Sequence, residues 1–176
     1  SEFGRDVILD QCRDINFINV ASPAASEKFY KFESKKKHKD DMGLDPNTFI
    51  IGTVMRNQRR KLYPDLFASF RSLLDETKNP NLFLYCHTYY PDIGWEIPEL
   101  LDTFRLNNRV LFTYKCEDCG DVSIDFYRDA ASYCSKCKKF EKSFVGIKNP
   151  IDENELNKIY NVFDIYVQYA NSEGFG

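Results

Sequence analysis

The chain has 176 residues, of which 43% are hydrophobic and 15% aromatic, and its formal net charge is −3. This composition excludes a disordered or fibrous protein, and the length fits one domain with a buried core. The acidic balance offers no basic surface of the kind that nucleic-acid binding requires, so no nucleic-acid partner is expected. No stretch approaches the roughly 18 apolar residues of a transmembrane helix, and we expect no secretory signal at the start of the chain.

The first 45 residues predict little regular structure. Residues 1–13 are interpreted as a vector-derived tag and a lead-in, outside the fold itself. Residues 15–20 are β-branched and aromatic, and predict a strand. Residues 21–45 predict a loop with one helical turn, and the basic run at 35–39 is interpreted as a solvated face rather than a phosphate or headgroup patch.

Regular alternation begins after residue 48. Residues 49–54 form an apolar run typical of a buried parallel strand. Pro64 then opens a helix that the spacing of apolar residues extends to residue 77. The following segments are predicted as a strand over 82–85, a helix over 96–106 and a strand over 109–113.

The last third begins with a cysteine-rich segment, residues 114–144, and then returns to the alternating pattern. Asp152 and Glu155 have the spacing of a capping box, which predicts the start of a helix. A strand over residues 164–169 follows.

This order of elements predicts an α/β fold with a parallel sheet and helices on both faces. Ligands of such folds bind beyond the carboxyl ends of the strands. The loops at that edge are expected to be residues 55–61, the segment from 114 onward and residues 171–176.

The four paired cysteines carry the strongest chemical signal. Cys116 and Cys119 form one Cys-x-x-Cys pair, Cys134 and Cys137 form another, and fourteen residues separate the pairs. Two such pairs can complete the tetrahedral shell of zinc, and a short hairpin such as 122–128 can span the gap. We therefore predict a zinc-ribbon insert over 114–144 within a domain comprising 14–113 and 145–176.

Structural zinc is favoured over a redox role, because there are two pairs and neither plainly begins a helix after a strand. A catalytic zinc is least favoured, because four thiolates leave no open position. Paired cysteines of this kind also indicate a reducing compartment. The expected location is the cytoplasm or the cytoplasmic face of a membrane.

Basic residues crowd the predicted strand-to-helix loop after residue 54. Arg56 can bind a phosphate bidentately and Lys61 adds a point charge, so the loop could stabilise a leaving diphosphate. Composition alone favours a solvated basic loop.

Two spacings within the predicted α/β domain carry a resemblance. Arg56 and Lys61 stand five positions apart after a strand, and Ser172-Glu173-Gly174-Phe175-Gly176 begins a Glu-x7-Glu motif after the last strand. From about residue 47 onward, apart from the insert, the chain resembles the C-terminal domain of family 4 glycosyltransferases, the "glycosyl transferases group 1" family.

The resemblance implies a Rossmann-like domain, half of a GT-B fold. The parent enzyme would be a hexosyltransferase-like glycosyltransferase that transfers a sugar from a nucleotide diphosphate sugar to an acceptor with retention. Arg56 and Lys61 would bind the donor diphosphate and Glu173 would contact the donor sugar, these three being the catalytic set. The backbone of Gly174, Phe175 and Gly176 would lie beside the sugar and the phosphate.

The chain departs from the family pattern at several places. Met55 and Leu62 occupy positions where the family often has glycine, and the second glutamate of the motif would lie beyond residue 176. The N-terminal acceptor domain is absent too. We therefore expect this chain to be inactive alone and its partner to be that acceptor domain of the parent chain.

Two alternatives remain open at this point. The first is a non-enzymatic α/β module that presents its zinc ribbon to a protein or a nucleic acid. The second is a nucleotide-binding enzyme of another class, which has little support because neither a Gly-x-Gly-x-x-Gly nor a P-loop motif is present.

Overall fold

The computed structural model describes residues 2–12, 14–15, 20 and 24–172. The helices are α1 (Glu2–Gln11), α2 (Lys35–Asp41), α3 (Tyr63–Thr77), α4 (Ile97–Thr103) and α5 (Glu153–Val162). The strands are β1 (Phe49–Val54), β2 (Leu82–His87), β3 (Val110–Cys116), β4 (Val122–Phe126), β5 (Lys142–Phe144) and β6 (Ile165–Tyr166). The strand predicted over 15–20 lies largely outside the described residues.

All the described strands belong to one mixed sheet with the order β4-β3-β2-β1-β6. Strands β3, β2, β1 and β6 run parallel to one another. Strands β4 and β5 are both antiparallel to β3. The predicted α/β class is confirmed, and the sheet, predicted to be parallel, is mostly parallel.

Helices cover both faces of the sheet. On one face, α3 and α4 pack through Phe67 and Leu101 against alternate residues of the strands, such as Leu84. On the other face, α5 packs through Ile159 against Ile50. In the described part of the chain, no helix is long and apolar enough to cross a membrane.

Several element ends differ from the predicted ones. Helix α4 ends at Thr103 rather than at residue 106, because Arg105 takes the left-handed conformation at φ 54° that typically terminates a helix. Strand β3 continues past residue 113 to Cys116, because β4 and β5 pair with its last residues. Strand β6 comprises only Ile165 and Tyr166. The capping box is confirmed at one end, because Asp152 accepts a hydrogen bond from the Glu155 N–H at 2.9 Å.

The basic run of α2 is only partly a solvated face. The Lys39 side chain is 3% exposed, and its ammonium donates to Asp164 Oδ2 at 2.6 Å and to the Thr48 carbonyl at 2.7 Å. The Ile50 N–H donates to the same carboxylate at 2.8 Å. This buried cation therefore fastens α2 to the amino end of β1 and to the turn that leads into β6.

Asp164 is ionised because its partners outweigh its burial. Burial alone would raise the pKa of this carboxyl, but the hydrogen bonds from Lys39 and from the Ile50 N–H hold the pKa below its ordinary value. Lys35 adds a longer contact at 3.3 Å.

We predict that Asp164→Ala destabilises the protein by about 2–3 kcal/mol, because it leaves the Lys39 ammonium buried without its counter-ion. Asp41→Ala is a matched control, since Asp41 pairs with Lys37 on the same helix but is 56% exposed. The control should cost at most about 0.5 kcal/mol. Urea unfolding of both variants measures the difference, and equal losses would contradict the structural role of the buried pair.

Candidate metal centre and ligand-binding cleft

The first cysteine pair lies in a tight turn at the end of β3. The Gly120 N–H donates to the Cys116 carbonyl at 3.0 Å, and the Cys116 N–H donates to the Asp121 carbonyl at 2.9 Å. Gly120 has φ 73°, a conformation in which glycine is not strained. The turn thereby places the sulfurs of Cys116 and Cys119 on one side.

The second pair repeats this turn bond for bond. The Lys138 N–H donates to the Cys134 carbonyl at 2.9 Å, and the Cys134 N–H donates to the Lys139 carbonyl at 2.7 Å. Lys138 occupies the position of Gly120 and also has a positive φ, 64°. The two pairs are therefore two copies of one Cys-x-x-Cys turn, although their sequences share little besides the cysteines.

The four sulfurs lie close enough together to hold one ion. Cys116 Sγ is 3.5 Å from Cys137 Sγ, Cys119 Sγ is 3.7 Å from Cys134 Sγ, and all four atoms lie within 4.8 Å of one another. A tetrahedron with zinc–sulfur bonds of about 2.3 Å has edges of about 3.8 Å. The cluster, as predicted from the sequence, could therefore bind a metal ion such as zinc.

The surroundings favour a thiolate at Cys134, whereas burial raises the pKa of Cys137. The N–H groups of Cys137 and Lys136 lower the pKa of the Cys134 thiol to about 7, and the thiolate is the form that binds metal. Lys139 pairs with Asp118 at 2.5 Å, which ties one turn to the other. We call residues 116–144, which comprise both turns with β4 and β5, the cysteine module.

Arg56 lies at the carboxyl end of β1 and is held by a partner that the sequence does not reveal. Its Nε and Nη2 donate to the Asp92 carboxylate at 2.8 and 3.0 Å. The Arg56 side chain is 49% exposed, whereas that of Asp92 is 3% exposed. The hydrogen bonds from Arg56 hold the pKa of Asp92 below its usual value. The two hydrogen bonds to the buried Asp92 carboxylate thus fix the orientation of the Arg56 guanidinium.

Two loops at this edge are locked together. Asn57, at the end of β1, exchanges two hydrogen bonds with the backbone of Trp95, at 2.8 and 2.9 Å. The Trp95 indole N–H donates to the Lys61 carbonyl at 2.8 Å, and Arg59 lies over the indole ring. A Cβ on Gly94 would stand 2.2 Å from the Asn57 side chain, so glycine permits this close approach. We call residues 55–62 the β1 loop and residues 88–96 the β2 loop.

The β1 loop also lies against the segment that follows β6. Lys61 forms an isolated antiparallel bridge with Ala170, and the Arg60 guanidinium donates to the Ser172 carbonyl at 2.9 Å. Lys61 is itself largely buried. The other predicted site residues, Glu173, Gly174, Phe175 and Gly176, lie outside the described residues.

A cleft of about 300 Å³ opens beside Arg56 at the carboxyl ends of β1 and β2. Its opposite side is formed by residues 145–151, which follow β5 directly and which we call the wall segment. Polar groups of the cleft come from Arg56, His87 and Thr88, and apolar groups come from Val54, Ile147 and Leu156, among others. The Thr88 hydroxyl is buried and forms no hydrogen bond with the described residues. An anionic ligand with an apolar portion would suit this lining.

His87 contributes an imidazole to the lining of the cleft. Burial lowers the pKa of its imidazole to about 4, so the ring is neutral at pH 7. Its Nδ1 bonds to the Thr113 hydroxyl at 2.8 Å, and that hydroxyl bonds to the Tyr85 hydroxyl at 2.8 Å. Two fully buried side chains, those of Thr113 and Tyr85, thus fix the position of the His87 ring through this hydrogen-bond network.

Sequence reasoning missed Asp92, Asn57 and the structural role of Trp95. Each of these residues contacts a loop that follows a different strand. The spacing of residues along the sequence does not indicate such contacts. The local sequence shows only that the loop after β2 contains polar residues such as Asp92 and Glu96.

Comparison with known protein families and with curated proteins finds no match for this chain.

We predict that the purified chain retains about one zinc per molecule after dialysis, and that Cys134→Ser weakens retention by at least about tenfold. Changes to groups that merely support metal ligands already cost about 10–100-fold. Cys12→Ser is the control, because Cys12 is exposed and outside the cluster. Metal analysis after dialysis against graded chelator measures retention, and equal zinc in both variants would contradict the cluster.

We also predict a pH dependence of stability that originates at His87. The folded pKa of about 4 lies below the unfolded value of about 6.5, so the unfolded chain binds a proton that the folded chain does not. Stability is therefore lost as the pH falls from about 6.5 to 4, by up to about 1.4 kcal/mol per pH unit. Urea unfolding across this range should show a steeper loss for the natural chain than for His87→Asn. Parallel curves would contradict the assignment.

Proposed function

We propose that this chain is the donor-binding domain of a retaining GT-B glycosyltransferase, with a Rossmann-like fold and a structural zinc site. The substrate bound at the carboxyl edge of the sheet is a nucleotide diphosphate sugar. The sequence resemblance supplies this identity, and the arrangement of the loops at that edge supports it.

The observation that carries the proposal is the meeting of two distant segments. The β1 loop, with Arg56 and Lys61, lies against the residues that lead directly into Glu173, as the Lys61–Ala170 bridge and the Arg60–Ser172 hydrogen bond show. Both follow strands that are neighbours in the sheet, β1 and β6. The resemblance requires diphosphate-binding and sugar-binding groups to be neighbours, and the contacts of the β1 loop with Ala170 and Ser172 support the proposal.

The sheet order supports the same location. Successive strands β1, β2 and β3 extend the sheet in one direction, and β6 then adds to the other side of β1. Open α/β sheets bind ligands in the crevice at such a reversal of strand order. The β1 loop borders that point.

The chemistry falls mainly to fixed cations. Negative charge develops on the diphosphate as the glycosidic bond to the donor breaks, and cations that are already in position stabilise that charge. A guanidinium has five N–H groups, of which Arg56 commits two to Asp92, leaving three toward an incoming phosphate. Lys61 adds a further positive charge, and Glu173 is assigned to the donor sugar.

The metal has a separate role in this proposal. Cys116, Cys119, Cys134 and Cys137 would hold zinc, which supplies the cross-link that the short cysteine module needs to fold. Four thiolates leave no coordination position for substrate, so the role is structural.

We predict that UDP-, GDP- or ADP-sugar binds the zinc-loaded chain, and that Arg56→Ala weakens binding by about tenfold to a hundredfold. Arg71→Ala is the matched control, because Arg71 also pairs with an aspartate, Asp75, but on the outer part of α3. Isothermal titration measures affinity, and thermal unfolding verifies that both variants are folded. Absence of binding to all three donors, or equal binding by both variants, would overturn the proposal.

A second candidate function is an interaction module without enzymatic activity. It is favoured by Tyr133 and Phe140, two exposed aromatic residues of the cysteine module whose rings lie 5.4 Å apart. This function predicts partner binding that zinc removal abolishes and Arg56→Ala leaves unchanged, so the same variant distinguishes the two candidates.

A further inference from the structure

The wall segment of the cleft is built on the cysteine module. Its first residue, Val145, follows β5 directly, and β5 pairs with the last three residues of β3, from Lys142 opposite Cys116 to Phe144 opposite Tyr114. The wall then turns tightly, with Gly146 and Asn149 exchanging backbone hydrogen bonds at 3.2 Å in both directions. It is thus a short loop whose starting point is set by the module.

Further bonds fasten the wall to the base of the first cysteine turn. The Asn149 side chain donates to the Lys115 carbonyl at 3.0 Å, and the Lys115 ammonium donates to the Pro150 carbonyl at 2.6 Å. Lys115 immediately precedes Cys116. The position of the wall therefore depends on the end of β3, which a bound metal would hold through Cys116.

The wall has a close contact with Tyr89, on the opposite side of the cleft. A Cβ on Gly146 would stand 2.4 Å from the Tyr89 ring, so the ring lies directly on the glycine backbone. Next to it Ile147 lines the cleft while 75% exposed. Tyr89 and Ile147 thus supply an aromatic ring and an exposed aliphatic side chain to the lining of the cleft.

We infer that the cysteine module is a working part of the cleft, in which the metal holds the wall segment in place and Ile147 on that wall contacts the base of a nucleoside diphosphate. This inference rests on the proposed function for the identity of the ligand. A planar base gains affinity by covering apolar surface, which Tyr89 and Ile147 supply. The diphosphate would then reach the outward N–H groups of Arg56.

The first test compares two exposed side chains of similar size and setting. Ile147 and Phe140 are 75% and 71% exposed, but only Ile147 lines the cleft. Titration of the zinc-loaded chain with UDP, GDP and ADP should show that Ile147→Ala weakens binding by about fivefold to tenfold, because it removes most of an aliphatic side chain from the contact. Phe140→Ala should leave affinity unchanged. Equal effects of the two substitutions would overturn the inference.

The second test needs no ligand. Hydrogen exchange of the zinc-loaded and the chelated chain should show that the amides of Val145, Gly146 and Asn149 lose protection when zinc is removed, while those of α3 keep theirs. Unchanged exchange in the wall would overturn the inference. Loss of protection in α3 as well would also overturn it, since the metal would then stabilise the whole domain.

The two tests separate the two proposals. If no nucleotide binds the natural chain, the proposed function fails, and the exchange measurement still decides whether the metal holds the wall. If a nucleotide binds and Ile147→Ala binds it as tightly as the natural chain, the donor site stands and the role of the wall is refuted.

Discussion

The constraint on which the structure depends is that β3 is longer than its neighbour in the parallel sheet. Strand β2 pairs with β3 only as far as Phe112, whereas β3 continues to Cys116. Buried backbone N–H and C=O groups must find partners, so the protruding half of β3 needs new strands on its edges. β4 supplies one edge and β5 the other. The cysteine module is therefore an extension of the sheet itself.

This extension is too small to persist by its own packing. Strand β5 has three residues, and the module contributes few residues to the buried core. A bound metal is the natural source of the missing free energy, because a structural zinc site contributes folding energy outright. The two Cys-x-x-Cys turns of the cysteine module meet at Cys116, the last residue of β3. A metal ion bound by the four cysteines would stabilise β3 and β5, and through β5 the chain that borders the cleft.

Much of this architecture follows from local sequence patterns. The apolar runs of β1 and β2, the helical spacing in α3 and the cap at Asp152 each reflect forces that act within a few residues, and each was predicted. The cysteine cluster was predicted because metal chemistry imposes a recognisable spacing.

Features that depend on distant contacts escaped prediction. Lys39 has the same neighbours in sequence as exposed lysines, and only its approach to Asp164 across 125 residues explains its burial. The pairing of Arg56 with Asp92 spans 36 residues and joins two loops. Such pairs depend on the tertiary fold, which brings residues that are distant in sequence close together. Local sequence patterns carry no information about such contacts between distant residues.

The Arg56–Asp92 pair also determines what kind of anion site the cleft can be. A guanidinium on a buried carboxylate is nearly neutral as a unit, so it attracts an anion weakly at long range. It nevertheless presents its remaining N–H groups in a fixed direction, and little side-chain entropy is lost when a ligand binds there. Recognition of an anion by Arg56 would therefore depend more on the direction of its N–H groups than on net positive charge. The site is suited to a phosphate whose position is already set by the rest of the ligand, and the apolar end of the same cleft can set that position.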